Sequence, residues 1–211
     1  MWSGDATTTP DELADAVAAS GIDVVCVTDH STIDGAVQLA ESGVLGVPVI
    51  VGEEMRTTEG ELIGLFLTER VPFGLRPADA VARIRDQGGL VYVPHPFDPL
   101  RHCLRRDALA GLVADGGVDI IETLNGKTSL ASLNEEAAEL ARRSAVAAGG
   151  GSDAHVPAAV GAAWVEVDDT ADLSTAAGFL AALRSPGARV GGGFSDPHRP
   201  WTSRIVPSTK R

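Results

Sequence analysis

The chain has 211 residues, enough for one domain with a sizeable core. Apolar residues make up 44% and aromatics 4%, so that core must be built mainly from Val, Ile, Leu and Ala. With 17 Lys and Arg against 29 Asp and Glu, the net charge is −12, which offers no basic footprint for nucleic acid. A small phosphorylated substrate is still compatible, because bound divalent cations invert the field locally.

Met1-Trp2-Ser3-Gly4-Asp5 lacks the basic and apolar regions of a secretory signal, so a cytoplasmic location is expected. Thr9-Pro10-Asp11-Glu12 supplies an N-cap, a first-turn proline and a capping box, predicting a helix over 11–19 that stops at Ser20-Gly21. The β-branched run 22–27 is apolar on both faces, as in a parallel strand covered by helices. Cys26 within it reads as a small buried hydrophobe. A helix over 33–42 and a strand over 48–52 follow. Residues 61–67 read as another strand, pairing back toward Arg56 through a turn at Glu59-Gly60. Helix 77–87 ends at Gly88-Gly89 and leads into strand 90–93. Helix 107–114 precedes strand 118–122, and the Ala- and Glu-rich helix 132–147 runs into Gly149-Gly150-Gly151, read as close backbone packing at a strand end. A strand over 163–167, a helix over 173–184 and a short segment over 189–191 complete the pattern, with a loop-like tail over about 194–211.

Strands alternating with helices, and no internal linker, predict a single α/β domain over 1–211 with a parallel sheet. About seven strands with polar clusters at so many of their ends favour a barrel, since an open sheet would gather its ligands near one switch point. No run reaches the ~20 apolar residues of a membrane span. Cys26 and Cys103 lack the spacing of a zinc clip or a disulfide framework.

Four clusters close strand-like runs: Thr28-Asp29-His30, Gly52-Glu53-Glu54, Pro94-His95-Pro96 and Ser152-Asp153-Ala154-His155. A divalent metal site needs neutral imidazoles and ionised carboxylates converging from separate elements. His30, Glu54, His95, Asp153 and His155 are therefore candidate ligands. Asp153 and His155, two apart, point to the same side of an extended segment, whereas only one of Glu53 and Glu54 can point inward. Asp29 is expected to orient a ligand, and Asp5 is either another ligand or a loop carboxylate. Glu122 and Asn125, just past another strand, are expected to line a substrate pocket. Arg101, Arg105 and Arg106 either receive a phosphate, with Arg101 the expected substrate-binding member, or form a solvated face. His102 and His198 follow no strand and read as loop residues. No P-loop, no G-x-G-x-x-G and no G-x-S-x-G elbow is present, which argues against nucleotide-binding and serine-hydrolase chemistry.

The order Thr-Asp-His (28–30), Gly-Glu-Glu (52–54), His-Pro (95–96) and Ser-Asp-Ala-His (152–155) resembles the polymerase and histidinol phosphatase (PHP) family. The resemblance runs from Ser3-Gly4-Asp5 to about Gly193. It implies a distorted, TIM-like (β/α)7 barrel that holds two or three divalent ions (Mn, Fe or Zn) and hydrolyses phosphoesters, here of a small phosphorylated substrate. By position it implies that His30, Glu54, His95, Asp153 and His155 are metal ligands, with Glu54 bridging two ions and Glu54, His95 and Asp153 carrying catalysis. Asp5 matches the acidic residue after the family's first motif. Two departures stand out. The family opens with His-x-His-Thr shortly before that Asp, and a chain starting at Met1 lacks this segment and the first barrel strand with it, so the expected start lies further upstream. Glu61 takes the place of a family histidine, an oxygen ligand that would change metal preference. The alternatives are a catalytically silent PHP-like scaffold or a nuclease or proofreading module, and the acidic charge weighs against the latter.

Overall fold

The computed structural model describes Ala6 and residues 8–194. Helix α1 (Pro10–Ser20) begins with the expected capping box: Thr9 Oγ1 accepts the Glu12 peptide N–H at 3.3 Å, and the Glu12 carboxylate accepts that of Thr9 at 2.8 Å. There follow β1 (Val25–Val27), α2 (Asp34–Ser42), β2 (Val49–Thr57), β3 (Gly60–Leu65), α3 (Pro77–Asp86) and β4 (Leu90–Val93). The second half adds α4 (Arg106–Ala114), β5 (Ile120–Asn125), α5 (Ala131–Ser144) and β6 (Ala147–Gly151). A short 3-10 turn (Pro157–Ala159), β7 (Ala163–Glu166), α6 (Ala176–Leu183) and β8 (Arg189–Gly192) complete the described residues.

Strands β1 to β6 form one curled sheet in chain order. Parallel pairs join β1 to β2, β4 to β5 and β5 to β6, but β3 runs antiparallel to both of its neighbours. The β2–β3 hairpin is the pairing expected from the Glu59-Gly60 turn, and it interrupts an otherwise parallel sheet. Thr57 pairs with Gly60, so only Thr58 and Glu59 join β2 to β3, whereas a crossover to a parallel strand needs about a dozen residues. Strands β7 and β8 form a separate antiparallel ribbon that packs against β6.

Helix α5 stops before its predicted end at 147 because Ala145 adopts a left-handed φ of 54° and the chain enters β6 at Ala147. An Ala-rich run carries no glycine or proline to announce that stop. At the β2–β3 turn, Gly60 has φ of 129°, and a Cβ there would lie 2.4 Å from the Cys103 carbonyl oxygen. Backbone cannot yield as a side chain would. Gly60→Ala is therefore expected to cost about 3 kcal/mol in a urea unfolding titration.

One apolar cluster (Leu62, Ile84, Val91, Val93, Leu109, Ile121) holds α3 and α4 to the sheet, and a second (Ile63, Leu65, Leu90, Ile120) packs with Phe179 of α6. The two ends of the sheet, β1 and β6, face a cavity of about 900 Å³ also walled by β7 and α6. Cys26 opens onto this cavity and is exposed to it, which corrects its reading as a packed core residue. Enclosure deep in the fold still pushes its thiol up to about 12. Among the described residues, no helix is long and apolar enough to cross a membrane. Asp5, His198 and the tail from 195 onward lie outside the described residues.

Candidate metal centre

The β2–β3 register builds the first half of the site. Arg56 faces Glu61 directly across the antiparallel pair, so Glu54, two residues before Arg56, shares their face and reaches Glu61 diagonally. Glu53 points the other way, is fully buried, and accepts the Val71 peptide N–H at 2.8 Å. The expected split of this adjacent pair is therefore present. Beyond β1 the chain stays alongside β2: His30 bridges to Glu54, and the Asp29 carbonyl accepts the Glu54 N–H at 3.1 Å. Asp29 thus helps hold the Glu54 backbone in place.

Around Glu54 the two carboxylate oxygens diverge. Oε2 lies 3.5 Å from His30 Nδ1, and Oε1 lies 2.9 Å from His95 Nε2. His95 Nε2 is also 3.8 Å from Glu61 Oε2, while the other Glu61 oxygen meets Arg56 at 3.4 Å. His30, Glu54 and Glu61 each offer one ligand atom, and these atoms all lie within 4.8 Å of one another. His95 Nδ1 is buried with no hydrogen-bond partner. An imidazole and carboxylate set of this spacing fits a divalent ion of the Mn, Fe or Zn type. Burial works to raise the Glu54 pKa, but the hydrogen bond and charge of His95, with His30 and Arg101, hold the carboxyl below its ordinary value. It is ionised and ready to ligate at neutral pH.

The second half comes from the loops after β4, β5 and β6. Asp153 pairs with Arg101, accepts from Asn125 Nδ2 at 3.3 Å, and lies 3.4 Å from His155 Nδ1. Lys127 Nζ lies 2.9 Å from His155 Nδ1 and 3.9 Å from Asp153 Oδ1. His95 and Asp153 both adopt left-handed backbone, with φ of 31° and 51°, a conformation that non-glycine residues hold only where the surroundings enforce it. The His30 and His155 rings stand 6.5 Å apart and join the two halves.

One pocket of about 240 Å³ is lined by His30, Glu54, Glu61, His95, Asp153 and His155, together with Arg56, Arg101, His102 and Lys127. Every ligand expected from the sequence lines it except Asp5, which lies outside the described residues. Arg101 turns in, whereas Arg105 and Arg106 stay exposed and pair with Asp107 and Glu136. Glu122 and Asn125 stand outside this pocket, on the wall of the larger cavity. Glu122 accepts from Tyr92 Oη at 2.9 Å, from Asn125 Nδ2 at 2.9 Å and from the His95 peptide N–H. Burial raises its pKa. Arg56 and Lys127 were not expected in the site, and His102, expected to be a loop residue, is an exposed turn residue that also lines the pocket. Lys127 carries the same signal as the ligands, since it follows a strand end directly.

Comparison with known proteins matches this architecture. A family model described as PHP-associated matches residues 131–186, the segment that carries Asp153 and His155. The uncharacterized protein MJ1587 of Methanocaldococcus jannaschii is 40% identical over 122 residues, spanning 57% of this chain and 68% of that protein. The chain belongs to the PHP family. A second protein of the same organism, MJ0417, is 38% identical over 125 residues, of which the match spans only 52% of its length. Among solved structures, a two-domain protein from Bacteroides vulgatus, containing a predicted PHP-like metal-dependent phosphoesterase, aligns with a TM-score of 0.68 and 19% identity. The alignment covers 90% of this chain and 61% of that one. An amidohydrolase from Chromobacterium violaceum, solved with sulfate and no metal, aligns with a TM-score of 0.58 and 18% identity over 72% of this chain and 84% of that one. These structural likenesses are of fold. In this PHP chain the residues expected as ligands, Asp5 aside, line one pocket.

Proposed function

We propose that this chain is a metal-dependent phosphoesterase acting on a small phosphorylated substrate, its sheet forming part of a distorted seven-stranded barrel. The observation that carries this reading is the convergence, in one 240 Å³ pocket, of His30, His95 and His155 and three carboxylates with the cationic heads of Arg101 and Lys127. His30, Glu54, Glu61, His95, Asp153 and His155 would hold two or three divalent ions, with Glu54 shared between neighbours. Such ions, when bound, lower the pKa of a coordinated water and neutralise charge developing on phosphoryl oxygens.

The chain's own residues position the reaction. Arg101 presents a planar fork suited to two oxygens of a tetrahedral anion. Glu122 fixes His95 by accepting its peptide N–H. Asp29 fixes Glu54 through its carbonyl. Sulfate bound in a structural neighbour supports a place for a tetrahedral oxyanion in this fold. The net charge of −12 favours a small substrate over a polynucleotide.

Turnover of p-nitrophenyl phosphate and bis(p-nitrophenyl) phosphate with Mn, Fe(II) or Zn, before and after chelation, tests the assignment. The expected result is hydrolysis of at least one ester that stops with chelator and returns with metal. Absence of hydrolysis with every metal would favour the silent-scaffold reading. Faster cleavage of a single-stranded oligonucleotide would favour a nuclease.

A further inference from the structure

Lys127 lies just past β5, is 8% exposed, and lines the metal pocket with its ammonium 2.9 Å from His155 Nδ1. The same nitrogen lies 2.9 Å from the Asp153 carbonyl oxygen, so Nδ1 accepts from the ammonium in one tautomer and donates to that carbonyl in the other. Arg101, from the loop after β4, reaches Asp153, the same carboxylate that Lys127 approaches at 3.9 Å. Two cations from two separate loops therefore converge on one point of the pocket wall.

Their spacing is built in. Asp98, fully buried, accepts the Leu100 N–H at 3.0 Å from its own loop. From the β5–α5 loop it accepts the Thr128 hydroxyl at 3.2 Å, the Ser129 N–H at 2.8 Å and the Ser129 hydroxyl at 2.7 Å. These bonds hold the Asp98 carboxyl below its ordinary value despite burial, which acts to raise it. The Lys127 N–H is itself held by Asn125 Oδ1 at 2.8 Å. The loop that bears Arg101 is thus clasped to the loop that bears Lys127 beneath both side chains. A receptor with so little freedom loses little entropy on binding.

We propose that Lys127 determines specificity in this pocket by selecting phosphomonoester dianions over phosphodiester monoanions, an inference that rests on the hydrolase reading above. A monoester carries a second negative charge, with a pKa near 6, and a third non-bridging oxygen. Arg101 serves two oxygens with its fork, and Lys127 supplies the point charge for the third. A diester lacks both that oxygen and that charge and gains little from the second cation.

The test compares the 211-residue chain with Lys127→Met, Lys127→Gln and Lys127→Arg, each checked for folding by circular dichroism. For the neutral variants, kcat/KM for p-nitrophenyl phosphate is expected to fall about a hundredfold, the size of one charge-assisted hydrogen bond, and for bis(p-nitrophenyl) phosphate by less than about threefold. Lys127→Arg should restore most of the monoester activity. A second measurement needs no turnover: calorimetric titration of inorganic phosphate into chelator-treated chain, where the neutral variants should bind at least about tenfold more weakly. Equal losses on both esters, or unchanged phosphate affinity, would overturn the assignment and leave Lys127 as a support for His155. If the unmodified chain hydrolyses neither ester, the hydrolase reading fails, and the phosphate titration still decides whether Lys127 belongs to an anion site.

Discussion

Glu54→Gln is expected to strip the chain of at least one bound metal ion and to lower phosphoester turnover by about a thousandfold or more. Glu54 is the carboxylate between two imidazoles, with one oxygen toward His30 and the other toward His95. An amide keeps the shape and one acceptor, so the hydrogen bond from His95 survives and the fold should persist. What it loses is the charge and the second ligating oxygen. Metal content by atomic emission, read beside turnover, checks both expectations. Full metal content in the variant would refute the assignment. The neighbouring residue is the control. Glu53 lies on the opposite face of β2, with one oxygen that accepts no hydrogen bond and lies 4.0 Å from Arg70 Nε, and Glu53→Gln should leave metal content and turnover intact.

Glu53 also gives a pH signature of defined sign. Burial raises its pKa from the ordinary 4.5, with the Val71 N–H and Arg70 opposing in part. A carboxyl whose pKa is higher folded than unfolded binds its proton more readily in the native state. Stability is then lost as pH rises through the interval between the two values. Glu53→Gln should therefore be more stable than the parent chain at neutral pH, and the difference should vanish once pH falls below the ordinary glutamate range. Urea midpoints at pH 7 and pH 4 measure it. A difference that grows on acidification would contradict the argument.

Much of the site was readable because ligands at strand ends follow from a simple rule. His30, His95, Asp153 and His155 follow β1, β4 and β6, where this class of fold exposes side chains, whereas Glu54 lies inside β2, which runs past its expected end at 52 to Thr57. The capping box of α1 and the extent of β4 were equally plain, since local chemistry decides both. The direction of β3 was legible too. Composition alone does not tell a parallel strand from an antiparallel one, but the short turn between Thr57 and Gly60 does. Lys127 was missed. A lysine in a loop ordinarily snorkels to solvent, so its place past a strand end weighs less than a histidine's, and Asp98 holds its loop through contacts across about thirty residues. Cys26 failed similarly: an apolar run predicts a core face, but β1 stands at the end of the sheet and opens onto a cavity.

Glu122 is where sequence and geometry part most usefully, and its removal should have the largest effect on stability. It was expected to line a substrate pocket, and it does wall the larger cavity, but its carboxylate is engaged by hydrogen bonds from Tyr92, His95 and Asn125. Gly151 makes room for it: a Cβ there would lie 2.3 Å from Glu122 Oε1. Glu122→Ala leaves a phenol, a peptide N–H and an amide without their acceptor, and is expected to cost about 3–5 kcal/mol. Because His95 holds a left-handed backbone through that N–H, turnover should fall by about a hundredfold even where the variant is folded. Gly151→Ala should also destabilise, by pressing a methyl into the carboxylate. The two defects oppose each other in space, since the vacancy left by one receives the methyl of the other. The double variant is therefore expected to be more stable than the sum of the single losses implies, by about 1 kcal/mol or more in a urea-based cycle. Strict additivity would mean that Gly151 and Glu122 act independently, and that another contact holds His95 in place.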